Sequence, residues 1–465
     1  MVTFDDVLST LVRTCEEAPG FGAVKRACCV RDLEGRVRLL LEADEAIDLP
    51  ALEERLDSAL GRWFAAPILG AGALARPPRE PTRLASTLSS LEEPWPEAGW
   101  TDQATGTRRT APAGRWRKVE RRLSKRAWLA RTSAQPPWPL TSNVPAIVTF
   151  FSFKGGVGRT TLLAATAWQL AAKGKRVVCV DLDLEAPGLG TLLGAESRRG
   201  VIDLLVDHLA LGQADLTDAL APASGLGDEA SQVDVVPAGR LDEGYFEKLG
   251  RLDFVGSGLL EESAESPIQR ALSALLFKLR ARRPDYILLD SRAGLHDLAG
   301  LSLHDLAHVD VLLARDSQQG YDGLELTVAA LGERHLARQL RCVVVQALAP
   351  TDQGSPEYER STAEFRHRSW DAFARHLYPK AEAAGTEAAP GDLRELEEES
   401  APAEGSETAA HSPRVVRYDE RLVRFSSLSA IREQLFSEDV RRLVGRIEEL
   451  TAPEGEDEGD EEASA

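Results

Sequence analysis

The chain is 465 residues long and 43% hydrophobic, with a formal charge of −19 from 55 Lys and Arg against 74 Asp and Glu. That length and apolar share predict one large domain with a smaller companion and exclude wholesale disorder. The acid excess, taken whole, argues against a general nucleic-acid coat protein. The five cysteines (Cys15, Cys28, Cys29, Cys179 and Cys342) are odd in number and lack Cys-x-x-Cys spacing. They read as reduced structural thiols of a cytosolic protein. The first ten residues carry Asp5 and Asp6 and no apolar run of the signal-peptide kind. No stretch reaches the ~18 apolar residues of a membrane helix, so a soluble cytoplasmic protein is expected.

Residues 1–75 predict a small α+β domain. Phe4, Val7, Leu8 and Leu11 share one face of a helix over Phe4–Glu17, Val24–Arg31 and Arg36–Glu42 form a hairpin, and Leu49–Trp63 forms a second helix. No catalytic constellation stands there. Residues 76–144 read as a proline-rich tether that contains the basic run Arg108 to Arg131, in which ten Lys and Arg face only Glu120. Five of the eight tryptophans (Trp95, Trp100, Trp116, Trp128 and Trp138) fall in this region, more indole than an inert linker uses. The stretch from Arg115 suits an amphipathic helix with Trp116, Val119, Leu123 and Ala127 on one side. Its cations suit nucleic-acid phosphates, an anionic membrane, or the acidic remainder of this chain or of a protein partner. The plainest alternative is a docked helix whose cations are solvated or paired with local acids.

Residues 145–380 alternate apolar strand-like runs with helical stretches, the pattern of a doubly wound, mostly parallel sheet covered on both faces. Residues 381–411 read as an acidic low-complexity insertion without fixed structure. Residues 412–450 return to the α/β domain through Arg414–Tyr418 and a helical Ser427–Leu450. Residues 451–465 form an acidic end. Nine acids against Arg394 in 382–407 and seven acids in 453–465 carry −15 of the −19. The rest of the chain is therefore close to neutral, and the overall acidity does not exclude a nucleic-acid contact through 108–131.

The strongest motif is Phe153-Lys154-Gly155-Gly156-Val157-Gly158-Arg159-Thr160-Thr161, which leaves a strand and enters a helix. A glycine-rich turn there lets backbone N–H groups point at a phosphate, and the helix N-terminus adds its dipole. The hydroxyl of Thr160 suits Mg2+. The plain GxxxxGK[ST] pattern fails at Phe153 and at Arg159. His304 and His308 have the i, i+4 spacing of a zinc pair, but without a Glu between them or a third ligand they read as structural.

The Lys154–Thr161 window resembles the deviant Walker A motif of the ParA/MinD ATPase family, in its KGGVGR-type form. The resemblance implies a P-loop NTPase fold that binds ATP and Mg2+ through Lys154, Gly155, Gly156, Val157, Gly158, Arg159, Thr160 and Thr161. It also implies a face-to-face, ATP-dependent homodimer in which Lys154 reaches the partner's nucleotide. Asp181 and Asp183, in Asp181-Leu182-Asp183, are similar to the family's first switch. By that likeness Asp181 supports the Mg2+ shell and Asp183 orients the attacking water. Asp285–Asp290 followed by Ser291-Arg292-Ala293-Gly294 resembles Walker B and switch II, with Asp290 on Mg2+ and Gly294 near the γ-phosphate. Arg292 stands where the family commonly has proline, and either adds charge at that phosphate or pairs with a surface carboxylate. Val235–Ala238 resembles a strand-end motif of the family, Gln346 stands where it places an adenine-contacting Asn, and Tyr418-Asp419 stands where a loop closes over the base.

The expected function is thus an ATP-hydrolysing nucleotide switch that regulates an unidentified protein partner in a signalling or bacterial conflict system. Turnover is left open by the arginine at 159. The alternatives are a positioning or partitioning ATPase on DNA or a membrane, and an ATP-binding scaffold without turnover. The family's MinD branch anchors through a C-terminal amphipathic helix, and the acidic end here speaks against a membrane surface.

Overall fold

A computed structural model of the chain describes residues 2–72, 74, 92–102, 105–121, 124–129, 136–255, 266–335, 341–378 and 401–452. It divides into two compact units, Met1–Leu123 and Ser124–Ala465.

In the first unit the strands are Val24–Arg31 (β1), Val37–Ala43 (β2), Leu69–Gly72 (β3), Glu93–Pro94 (β4), Gly99–Thr101 (β5), Arg108–Thr110 (β6) and Trp116–Glu120 (β7). Five of them form one sheet in the order β3-β2-β1-β7-β4, and β5 pairs with β6. The predicted β1–β2 hairpin is present. Its turn is organised by Asp32, whose Oδ1 accepts the N–H groups of Glu34 at 3.0 Å and Arg36 at 2.9 Å. The helices Val7–Glu16 and Leu49–Leu60 bury Leu11, Cys15, Leu52 and Leu56 against Cys29, Leu39 and Leu41.

The amphipathic helix expected from Arg115 onward begins instead as strand β7, parallel to β1 and inside the sheet between β1 and β4. Trp116 belongs to the core beneath the helices, while Val119 packs with Cys28, Leu40 and Leu69 in a separate cluster. An i, i+3 apolar pair therefore marks a strand buried on both faces, a pattern that a three-residue spacing cannot tell from a helix. Arg115 pairs with Glu16, Arg31 holds Glu120 through two hydrogen bonds of 2.9 Å, and the Trp116 indole donates to Glu16 at 2.8 Å. Part of the basic run is thus spent on local acids. The sheet of the first unit also extends past the expected boundary at 75, since β4 and β7 belong to it.

The second unit is built on an eight-stranded sheet: Ala146–Ser152 (β8), Val177–Asp181 (β9), Ala221–Pro222 (β10), Val233–Val236 (β11), Tyr286–Asp290 (β12), Val309–Arg315 (β13), Cys342–Ala349 (β14) and Arg414–Arg417 (β15). The order is β10-β11-β9-β12-β8-β13-β14-β15, and every pair is parallel except β10 with β11. All residues of β8, β9 and β12 are buried. Along β8, Val148 and Phe150 face the layer of helices Arg159–Ala172 and Glu438–Thr451, and Ile147 and Phe151 face the opposite one. This is the doubly wound, mostly parallel α/β architecture expected from the sequence.

Trp128 and Trp138 serve this unit. The Trp128 indole donates to the His296 carbonyl at 2.7 Å, and that of Trp138 to Pro145 at 2.9 Å. His308 is structural: its Nδ1 accepts the Ile147 N–H at 2.9 Å and its Nε2 lies 2.8 Å from the Trp138 carbonyl. The five cysteines are free and buried.

The expected unstructured insertion is corrected in its second half. Residues 401–411 pack on the helix Pro356–His376: Ser369 donates to the His411 carbonyl at 2.7 Å, and the Trp370 indole to Pro402 at 3.2 Å. Composition hid this because a low-complexity segment needs only a few anchors, here the buried His411. Residues 381–400 lie outside the described residues. The expected Ser427–Leu450 helix is broken, with Arg432–Leu435 and Glu438–Thr451 as its α-helical parts. Among the described residues no helix is long and apolar enough to cross a membrane.

Candidate functional site

The C-terminal edge of a parallel sheet collects loops that leave toward one side, the place where open α/β sheets bind ligands. Three such exits meet here. β8 ends in the glycine turn, β9 ends at Asp181 and β12 ends at Asp290, with Asp290 in register with Phe150 on one side and Asp181 on the other.

In the turn, Gly156 (φ +76°) and Gly158 (φ +85°) occupy the left-handed region that glycine adopts freely. A Cβ added at Gly155, Gly156 or Gly158 would meet nothing within 4 Å, so open space lies over the loop. Val157 is buried and anchors it. The helix Arg159–Ala172 starts immediately after Gly158. Lys154 is exposed and makes no hydrogen bond or ion pair among the described residues.

Arg159 is buried and folds back onto the carboxylates. Its Nε donates to Asp290 Oδ1 at 2.6 Å and its Nη2 to Asp183 Oδ2 at 2.8 Å. Thr160 Oγ1 donates to Asp290 Oδ2 at 2.7 Å, so one carboxylate takes both residues that open the helix. Asp181 accepts the N–H groups of Asp183 at 3.1 Å, Gly188 at 3.2 Å and Leu189 at 3.1 Å, which ties the strand end to the following loop.

The electrostatics follow from this packing. Burial lifts the Asp181 carboxyl to about 7, Asp290 adds to the rise, and the N–H groups of Leu189 and Asp183 oppose it. Burial also raises Asp290, against the pull of Arg159 and the Thr160 hydroxyl. Burial disfavours the Arg159 cation, but Asp290 and Asp183 outweigh it and hold the guanidinium above its ordinary value. Acids crowded at an edge, with one cation between them, form a site that accepts a further positive charge readily.

Arg292 pairs with Glu185, the second of the two alternatives, and His296 Nε2 lies 3.3 Å from the same carboxylate. Gly294 (φ +79°) donates its N–H to the Ser152 carbonyl at 3.1 Å, which fixes the loop after β12 beside the end of β8. Pro237 and Ala238 border a cleft of about 530 Å3 with Asp181 and Gly188. Gln346 does not join the cluster. It is fully buried in β14, with its side-chain nitrogen donating to Ser361 Oγ at 2.9 Å, because its position on the strand points it at the helix Pro356–His376. Tyr418 is exposed, and Asp419 pairs with Arg421.

Two residues that support the site carry no sequence signal. Gly323, inside the helix Gln318–His335, seats Phe153 of the phosphate loop, where a Cβ would lie 2.3 Å from the ring. Tyr245 donates to the Leu184 carbonyl at 2.7 Å and holds the loop after Asp183. A lone helical glycine and a helical tyrosine become readable only when tertiary structure brings their partners near.

Whether the residues suit a Mg2+-bound nucleotide is answered by the donor set. A hydroxyl and hard carboxylate oxygens stand at one side of a glycine loop with unfilled space above it, and they fit. The chain is similar to several known proteins. The H. pylori septum site-determining protein MinD is 30% identical over 169 residues, covering 36% of this chain and 51% of that protein. Its E. coli counterpart is 43% identical over 74 residues, covering 16% and 26%. This chain thus spans about half the length of the first relative and about a quarter of the second. An ATP complex of McdA from Cyanothece superposes with a TM-score of 0.44 at 17% identity, over 68% of this chain and 98% of that one. The family profile described as the CobQ/CobB/MinD/ParA nucleotide binding domain matches residues 148–453, well over half of the chain, and the protein belongs to that family.

Proposed function

We propose that this chain is an ATP-dependent switch that binds Mg2+-ATP at Lys154–Thr161, turns it over slowly, and dimerises in the bound state to act on a protein partner. The observation that carries the reading is the convergence of Arg159 and Thr160 on Asp290, with Arg159 also holding Asp183, at the mouth of the glycine loop. Backbone N–H groups of Gly155–Thr160 receive the phosphates, and Arg159 supplies charge there once it releases the two carboxylates. That release frees Asp290, already bonded to the Thr160 hydroxyl, to hold the metal together with Thr160, with Asp181 supporting them. Mg2+ held there would compensate charge on the phosphate oxygens. Asp183, let go by the same movement, orients the attacking water. One side chain thus gates two carboxylates, which favours binding coupled to a conformational step and slow turnover. Lys154, exposed and unpaired, is left to reach the nucleotide of the opposite subunit.

The test is phosphate release. Asp183→Asn is expected to retain ATP binding and to lower release by about 100-fold or more, the usual scale for a lost base or water-orienting group. Equal release by the two proteins contradicts the assignment. The names of the two MinD relatives support a second reading, a positioning ATPase working on a surface. Under it, phosphate release rises on adding DNA or anionic vesicles, whereas the partner-switch reading expects no response to either.

A further inference from the structure

The opposite edge of the second unit's sheet carries a site that nucleotide chemistry does not use. A cleft of about 1150 Å3 opens there, walled by Pro145 and Ala146 ahead of β8, Pro284 and Tyr286 at β12, and Thr451 and Ala452 at the end of the helix Glu438–Thr451. Four cations line it: Lys175, Arg176, Arg280 and Arg283. No carboxylate pairs with any of their side chains among the described residues, and Arg280 instead lies 5.1 Å from the Trp138 ring. The two acids in the wall are already engaged. Asp285 accepts the Arg176 N–H at 2.7 Å, and Glu448 pairs with Lys173 at 2.6 Å. Unpaired cations gathered in one concavity repel each other and select a polyanion.

The chain itself supplies one. Residues 453–465, which follow Ala452 directly from the cleft wall, hold seven acids and no base. At up to ~3.5 Å per residue, even half of that segment crosses a cleft of this size. Covalent attachment gives it an effective concentration on the order of millimolar, so individually weak ion pairs suffice. We propose that the cleft is the docking site of the acidic segment 453–465. This assignment is independent of the nucleotide site and stands whether or not ATP is turned over.

The test is zero-length carbodiimide cross-linking of the full chain, mapped by mass spectrometry. The expected result is a dominant link from Lys175 to a carboxylate within Glu454–Glu462 at low salt. It should fall at least five-fold in 0.5 M salt, and equally in the Arg176→Glu, Arg280→Glu, Arg283→Glu triple variant, which leaves Lys175 in place. A mixture of isotopically heavy and light chains should give links within one chain. Links spread evenly over surface lysines, links indifferent to salt and to the three arginines, or links joining heavy to light chains would overturn the proposal. Because salt acts on the unaltered protein, the outcome does not depend on the triple variant folding.

Discussion

Arg159→Ala is the sharpest perturbation the site offers. Arg159 is 8% exposed, and its guanidinium sits between Asp290 at 1% and Asp183 at 7% and bonds them at 2.6 and 2.8 Å. Removing one partner from a buried ion pair costs about 3–5 kcal/mol, because the remaining charge keeps its desolvation penalty. Two charge-assisted hydrogen bonds of about 1.5–3 kcal/mol each give an overlapping range of about 3–6 kcal/mol. The loss also has a pH signature. Asp290 already stands above its ordinary value, and Arg159 is the largest of the influences pulling it down. Without Arg159 it rises further. The folded state then holds a proton that the unfolded chain releases, so stability is greatest below the ordinary carboxyl value and falls as pH climbs through the raised one. Hydrogen exchange on peptides covering β8 and the helix Arg159–Ala172, in the absence of nucleotide, reads this opening energy directly. The expected loss is about 3–5 kcal/mol at pH 8 and clearly less at pH 5. A loss below about 1 kcal/mol at pH 8, or one equal at both pH values, would refute the buried-pair account.

Two further outcomes follow from packing. Trp116→Ala removes a side chain 2% exposed at the centre of the first unit, and should cost about 3–5 kcal/mol in exchange protection of β1, β2 and β7 while leaving β8 and β12 unchanged. Gly323→Ala forces a methyl toward the Phe153 ring, which must move and carry the phosphate loop with it. It should cost about 1–3 kcal/mol in stability and weaken nucleotide binding measured by calorimetry, whereas an unchanged affinity would detach Phe153 from the loop's positioning.

The sheet of the second unit was legible because parallel strands buried on both faces read as continuous apolar runs, and β8 and β12 fall where those runs predict. β7 was not legible in the same way. Its Trp116 and Val119 face opposite sides of a sheet, and that spacing also describes a helix. The site divides similarly. Lys154–Thr161, Asp181, Asp183 and Asp290 were readable because a glycine turn and acids at strand ends are local features. The pairing of Arg292 with Glu185, the seat of Phe153 at Gly323 and the burial of Gln346 against Ser361 depend on elements far apart in the chain. The most consequential feature, Arg159 held by its own carboxylates, lay in residues each identified separately. Only the register of β12 beside β8 and β9 brings them together.

The central claim is a nucleotide-driven change of association in which Lys154 acts across the interface. Light scattering on size-exclusion fractions of the full chain, with and without Mg2+-ATP, measures it most directly. The expected mass is that of one chain without nucleotide and of two chains with it, and the Lys154→Ala variant is expected to bind ATP yet stay at one. A mass unmoved by ATP, or a Lys154→Ala protein that doubles as the parent does, would contradict it.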